Sequence, residues 1–275
     1  MKKLCRLLAT LVVGAVFFAG CAVAQTLYTT HGNGTRLGTV NPITGAGVDT
    51  GGTGSDFYGV AVGPDGTLYG TVNGYGPASL IRINPATGAA TTIGDLGVGM
   101  FGLEVDAAGQ MWGIDLDGIL YRIDKATASK TAVGNTGLEM TMDVAFSPSG
   151  VLYAVDRYDK LHIVDKTSAV TTLIGTISGT FDVMGIMFDP LGKLYATSYN
   201  TNNFYRIDPA TAAATLIGAT GFVQPHGGDI FAEPVSAASL AIPTVSEWML
   251  VVMASLIALF GFTRLRHRAQ RNFTR

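Results

Sequence analysis

Residues 59–94 read GVAVGPDGTLYGTVNGYGPASLIRINPATGAATTIG. Four short runs in this stretch are rich in β-branched or aromatic residues: 59–62, the segment around Leu68-Tyr69, 80–83 and 90–93. Each is bounded by Gly, Pro, Asn or Asp, the pattern of short strands joined by tight turns. In Gly63-Pro64-Asp65-Gly66, and again in Asn84-Pro85-Ala86-Thr87-Gly88, the Pro presets one turn torsion and the Gly accepts a positive one. The stretch therefore reads as four antiparallel strands.

The same unit recurs along the chain. An apolar-aromatic pair appears at Leu27-Tyr28, Leu68-Tyr69, Met111-Trp112, Leu152-Tyr153 and Leu194-Tyr195, in steps of 41, 43, 41 and 42 residues. A strand ending in Asn or Asp recurs at Asn41, Asn84, Asp124, Asp165 and Asp208, in steps of 43, 40, 41 and 43. Gly51, Gly94, Gly134, Gly175 and Gly218 close a Thr-rich strand with those same steps. Four strands per unit of roughly 42 residues is the blade of a β-propeller. The first unit begins at its second strand, near Leu27, and an extra first strand follows the last unit at 229–232. Those two pieces make one shared blade. The expected fold is all-β: a five-bladed propeller over 25–234, closed by its N- and C-terminal strands. The repeat resembles the bacterial propellers with NHL-like or kelch-like blades, a resemblance of fold that carries no activity.

Several residues invite a functional reading that structure explains more simply. The recurring Tyr and Trp resemble a sugar-stacking array, yet their place in the second strand suits the core between blades. Arg82, Arg122 and Arg206 share one blade position and are expected to be solvated or to pair with a neighbouring blade. Asp115-Leu116-Asp117-Gly118 resembles part of a calcium loop but lacks its later acidic ligands, and Asp-Gly suits a hairpin turn.

Loops expected on one face carry Asn33, Asn73, Asp115, Asp156, Asn200, Asp56, Asp182 and His226. Near the axis, Asp143 and Asp229 stand where the other blades have Gly59, Gly102 and Gly185. Glu104 interrupts a strand whose equivalents are Ala61, Ala145, Met187 and Phe231. Glu104, Asp143, Asp229 and His226 form the candidate ligand face, in contact with either a ligand or channel water. No catalytic residue, metal ligand set or cofactor is assigned. The body's histidines, His31, His162 and His226, have no common metal spacing, and the chain lacks a Gly-x-Ser-x-Gly elbow or a phosphate loop.

The two ends have another role. Lys2, Lys3 and Arg6 precede an apolar stretch at 7–18 and a small-residue site, Ala22-Val23-Ala24, so 1–24 reads as a signal peptide. Ala19-Gly20-Cys21 leaves open the alternative of a lipidated Cys21. At the other end come Ile242-Pro243-Thr244 and Trp248, then 14 mostly apolar residues from Met249 to Phe262, then Arg264, Arg266, Arg268, Arg271 and Arg275. The apolar run is short for a bilayer core of about 30 Å, and snorkelling arginines extend its reach. The positive-inside rule leaves the C-terminus cytoplasmic and the body outside.

This tail, 242–275, resembles the IPTL-CTERM sorting domain of Gram-negative bacteria, with Val245 in place of the usual Leu and Met249 in place of the usual Gly. The resemblance implies an exosortase-like membrane enzyme as partner, removal of the tail, and transfer to the cell surface or matrix. A plain single-span membrane anchor is the other reading. Residues 235–241 are a linker of small residues.

Charge separates the parts. The net charge of −2 hides a body, 25–247, with all twenty acidic residues and only ten of the eighteen basic ones. A body of that sign is not a nucleic-acid binder. Both cysteines, Cys5 and Cys21, lie in the signal region, so the body folds without disulfides. The chain is expected to be an inner-membrane-anchored precursor with a periplasmic body, sorted to the surface as a non-enzymatic binding or structural module for a surface partner or glycan. The alternative is a propeller hydrolase or lyase, with or without calcium, using carboxylates at the channel mouth.

Overall fold

Alternating apolar residues and Gly/Pro/Asx turns produce twenty strands in the computed structural model, which describes residues 25–52 and 54–232. The expected signal peptide, linker and sorting tail with its membrane helix lie outside the described residues. The first sheet starts with β1 (Gln25–His31), β2 (Arg36–Val40) and β3 (Gly47–Gly52). Four sheets of consecutive strands follow. They are β4 (Phe57–Val62) to β7 (Ala90–Asp95) through β5 (Leu68–Val72) and β6 (Ser79–Ile83); β8 (Met100–Val105) to β11 (Lys130–Asn135) through β9 (Met111–Asp115) and β10 (Ile119–Ile123); β12 (Thr141–Phe146) to β15 (Thr171–Thr176) through β13 (Leu152–Asp156) and β14 (Lys160–Val164); and β16 (Val183–Phe188) to β19 (Ala214–Ala219) through β17 (Leu194–Ser198) and β18 (Asn203–Ile207). Then β20 (Gly228–Ala232) returns to complete the first sheet, in the order β20-β1-β2-β3. Its pairing with β1 is antiparallel, with Gln25 opposite Ala232 and Thr29 opposite Gly228.

The inner strands close a ring. β4 packs on β8, β8 on β12, β12 on β16, β16 on β20, and β20 back on β4. The chain is a five-bladed propeller. The inner strands begin earlier than the sequence reading had them: two residues before Gly59, Gly102, Asp143 and Gly185, and one before Asp229. Irregular pairing at this point, between Phe57 and Val60 and at its counterparts in the next three blades, hides the strand start from simple alternation.

The recurring pairs fill the space between blades. Leu27, Leu68, Met111, Leu152 and Leu194 are fully buried, and Tyr69, Trp112 and Tyr195 are buried beside them. The recurring arginines are exposed, as the solvated reading expects. Arg82, Arg122 and Arg206 lie opposite Tyr69, Trp112 and Tyr195 of their own sheets, not against a neighbouring blade. Cross-strand register places a cation beside an aromatic, and the Arg122 guanidinium lies 5.9 Å from the Trp112 ring centre.

The outer corner of each blade meets the next through backbone. Each Asx residue ending a third strand caps a turn with its side chain, as Asn84 Oδ1 accepts from the Ala86 amide and Asp208 Oδ1 from that of Ala210. That turn then seats against the recurring fourth-strand glycine of the preceding blade. A methyl group on Gly51 would lie 2.2 Å from the Thr87 carbonyl oxygen, and one on Gly218 would lie 2.2 Å from that of Thr44. Gly175 is looser, with Thr211 O at 3.5 Å. All five fourth strands share one pattern of half-buried and exposed positions with none fully buried, and each carries a bulge against the third strand at the same step. The bulge twists the free edge and makes it a poor template for another chain.

Gly218→Ala should lower stability by about 1–3 kcal/mol through overpacking. Gly175→Ala, with room for its methyl, should be neutral or slightly stabilising. Thermal unfolding by circular dichroism separates the two, and equal losses would contradict the corner contact described here.

Candidate functional site

The inner strands run from one end of the ring axis to the other, so residues before a strand and residues late in it face opposite mouths. At the mouth where the strands end, a cavity of about 330 Å³ is lined by residues of all five inner strands and their turns, among them Pro64, Glu104, Phe146, Phe188 and Asp229. At the mouth where they begin, a cavity of about 510 Å³ is lined by Asn33, Tyr58, Tyr75, Met142, Asp182, Met184, Tyr199 and His226, among others. The four residues of the candidate ligand face are therefore not on one face. Glu104, Asp143 and Asp229 come together, whereas His226, on the segment before β20, belongs to the other mouth.

The two aspartates act as braces. Glycine elsewhere at their position admits the neighbouring inner strand; a methyl on Gly59 would lie 2.0 Å from Phe101 O. In the two blades with aspartate, the carboxylate reaches the neighbouring backbone instead. Asp143 Oδ2 accepts from the Ile186 amide at 2.9 Å and Oδ1 from Val144 at 3.0 Å. Asp229 Oδ2 accepts from Val62 at 2.6 Å and Oδ1 from Ile230 at 2.6 Å, tying the last inner strand to β4. Burial nonetheless outweighs these amides and raises both carboxyl groups above their ordinary range. Glu104, also buried, is raised well above it, first by burial and then by the charges of Asp229 and Asp143. Its surroundings favour the neutral acid over the anion; it hydrogen-bonds to Asp229, and its Oε2 is buried without a partner.

The other mouth is aromatic. The His226 backbone is pinned: its amide donates to Thr30 O at 2.9 Å, and its carbonyl accepts from Thr29 Oγ1 at 3.0 Å and Thr197 Oγ1 at 2.9 Å. Its ring stands edge-to-face with Tyr58 at 5.4 Å and Tyr199 at 5.0 Å. Burial pushes this imidazole down to about 4, so it is neutral at physiological pH. Its Nε2 is buried and has no partner. Tyr75 packs edge-on against Tyr58 and Phe101 at 5.6 and 4.7 Å. At the rim, Tyr199 Oη donates to Asn33 Oδ1 at 3.4 Å and Asn200 Nδ2 to Asp182 Oδ2.

Of the eight loop residues expected on one face, Asn33, Asp182, Asn200 and His226 line this funnel. Asp115 and Asp156 are instead anchors of their own hairpins. Asp115 Oδ1 accepts from the Asp117 and Ile119 amides, and Asp156 Oδ1 from those of Tyr158 and Lys160. The calcium-like segment is thus a turn, with Gly118 at φ 80°. Asn73 bonds to Pro77 O within its own loop. Sequence reasoning missed Tyr58, Met142 and Met184. Their signal is positional: the residue just before each axial Gly or Asp is Tyr58, Phe101, Met142 or Met184 in four blades.

Comparison with known proteins bears on the two parts separately. The model of the IPTL-CTERM motif matches residues 241–267. That motif implies an exosortase-type sorting system in general and suggests a sorted, exported surface protein. No curated protein matches the chain. The body is similar to a chain in the crystal structure of a nidogen/laminin complex, at 13% identity and TM-score 0.56, over 76% of this chain and 99% of that one. It is also similar to a structural genomics protein of unknown function from Bacteroides thetaiotaomicron, at 13% identity and TM-score 0.53, over 74% of this chain and 70% of that one. At this identity the likeness shows the fold alone.

The raised carboxyls set a pH dependence. The folded state holds their protons more tightly than the unfolded chain does, so the contribution of these three groups to stability is full below about pH 4 and is lost as pH rises through the folded-state values. Glu104→Gln removes one of these groups. Its melting temperature relative to wild type should therefore climb between pH 4 and pH 8. A difference that stays flat over that range would contradict the assignment of a neutral, buried Glu104.

Proposed function

We propose that this protein is an exported precursor whose propeller is displayed at the cell surface or in its matrix as a non-enzymatic binding module. In this reading the tail holds the precursor in the inner membrane with its C-terminus cytoplasmic, and an exosortase-type enzyme removes it. The sorting motif at 241–267 supports the destination. The observation that carries the non-enzymatic reading is the engagement of the axial carboxylates. A hydrolase or lyase at this axis needs a carboxylate whose oxygen is free to act as base or nucleophile beside its substrate. Asp143 and Asp229 accept backbone amides with both oxygens. His226, the histidine nearest the axis, opens to the opposite mouth from Glu104. The aromatic funnel supplies what binding needs: a concave surface of apolar rings with a few convergent polar groups. The acidic body favours a surface protein or glycan over nucleic acid as partner.

Two measurements test the two halves. With one epitope in the body and another after Phe262, the body should reach the surface fraction of the native host without the second epitope; a surface body that keeps the tail overturns the sorting half. A screen of esters and lactones, with calcium or with a chelator, should show no turnover. Turnover lost in Glu104→Gln would establish the enzymatic alternative.

A further inference from the structure

We infer that the aromatic funnel binds a neutral saccharide, with one sugar face laid on the tyrosine wall and the ring hydroxyls met by the polar rim. This deepens, and rests on, the reading of the body as a binding module. The wall is built before any ligand arrives. Tyr75 is 64% exposed, an unusual state for a tyrosine whose ring is fixed by two aromatic neighbours. Tyr58 is held in turn by Phe101 at 4.9 Å and by the His226 edge. Tyrosine offers a large contact face for only two side-chain torsions, and here those torsions are set by packing, so little ordering remains to oppose binding.

A pyranose matches this surface. One of its faces carries C–H groups that lie against an aromatic ring, and its edge carries hydroxyls that each donate and accept. Asn33, Asn200, Asp182 and Arg157 surround the wall with planar groups that offer paired donors and acceptors. A second and independent observation points inward. His226 is 3% exposed, yet its Nε2 has no partner. An unmatched nitrogen in a dry position is costly, and a hydroxyl brought into the plane of the ring, in line with Nε2, satisfies it in either tautomer. Charge argues for neutrality in the ligand, because Arg157 and Asp182 offset one another and the body as a whole is acidic, which disfavours a polyanionic glycan. The cavity, about 510 Å³, is of small-ligand size and takes one or two sugar rings.

The test uses the full chain in a detergent without a sugar headgroup. Saturation-transfer NMR and calorimetry are run with cellobiose, N,N′-diacetylchitobiose, maltose and lactose. Digalacturonate serves as the acidic comparator and the tripeptide Gly-Tyr-Gly as the peptide comparator. At least one neutral disaccharide should bind at millimolar concentration or tighter, with transfer to its C–H protons. Tyr75→Ala should weaken that binding about 10-fold at unchanged melting temperature, and Tyr199→Phe, which keeps the ring, should weaken it less. Absence of binding by all four neutral disaccharides, tighter binding of digalacturonate or the tripeptide, or indifference to Tyr75→Ala would each overturn the saccharide assignment. None of these outcomes touches the module reading, which the turnover screen and tail processing decide separately.

Discussion

Five blades meet at their outer corners through a contact that, at its closest, leaves no room for a side chain. A capped turn of one blade sits on the bare backbone of a glycine in the preceding blade, and the last such pair, Gly218 on Thr44, links the end of the ring to its start. Only glycine permits the closest of these approaches, and only a turn held by an Asx side chain presents its carbonyl in the right place. Blade spacing and the width of the axis follow from this corner. Three blades hold the turn with an alanine at positive φ: Ala128 at 63°, Ala169 at 61° and Ala212 at 59°. The first two blades use Gly45 and Gly88 there. A left-handed alanine is strained, and its persistence in three turns shows how strongly the surrounding packing determines that shape.

At the axis the same geometric demand is met in two ways. Gly59, Gly102 and Gly185 let the neighbouring strand approach, while Asp143 and Asp229 span the gap with a carboxylate. The second solution brings acid groups into a dry region, and Glu104 holds its proton more tightly there as a result. The two mouths differ accordingly. One is a cluster of buried acid groups rimmed by prolines and phenylalanines; the other is a ring of tyrosines around a neutral histidine.

The period was legible because it is written three times over, in the Leu-aromatic pairs, the Asx turns and the corner glycines, and each landmark has its own physical cause. Strand starts were less legible, since a bulge breaks the alternation that would mark Phe57 or Met100 as strand residues. Asp143, Asp229 and Glu104 stood out as polar residues at apolar or glycine positions, and the structure does gather them. Grouping His226 with them failed for a directional reason: it precedes its inner strand, whereas Glu104 lies late in its own. The tyrosine wall stayed hidden because Tyr58 reads as one more aromatic in a strand. Only the ring shows that Tyr58, Met142 and Met184, each just before an axial position, line open space.

Almost all pairing in this body is between strands adjacent in sequence, and such hairpins form quickly. One seam is different. β1 pairs with β20, joining Gln25 to Ala232 across nearly the whole body. That seam has a timing consequence. During synthesis the first sheet waits without its inner strand until the last blade has been made, and the segment carrying His226 arrives with the closing strand. The sorting motif begins at residue 241, only a few residues beyond that strand. The closing strand and the sorting signal are therefore synthesised one directly after the other, and a chain cut short before its closing strand carries no sorting signal.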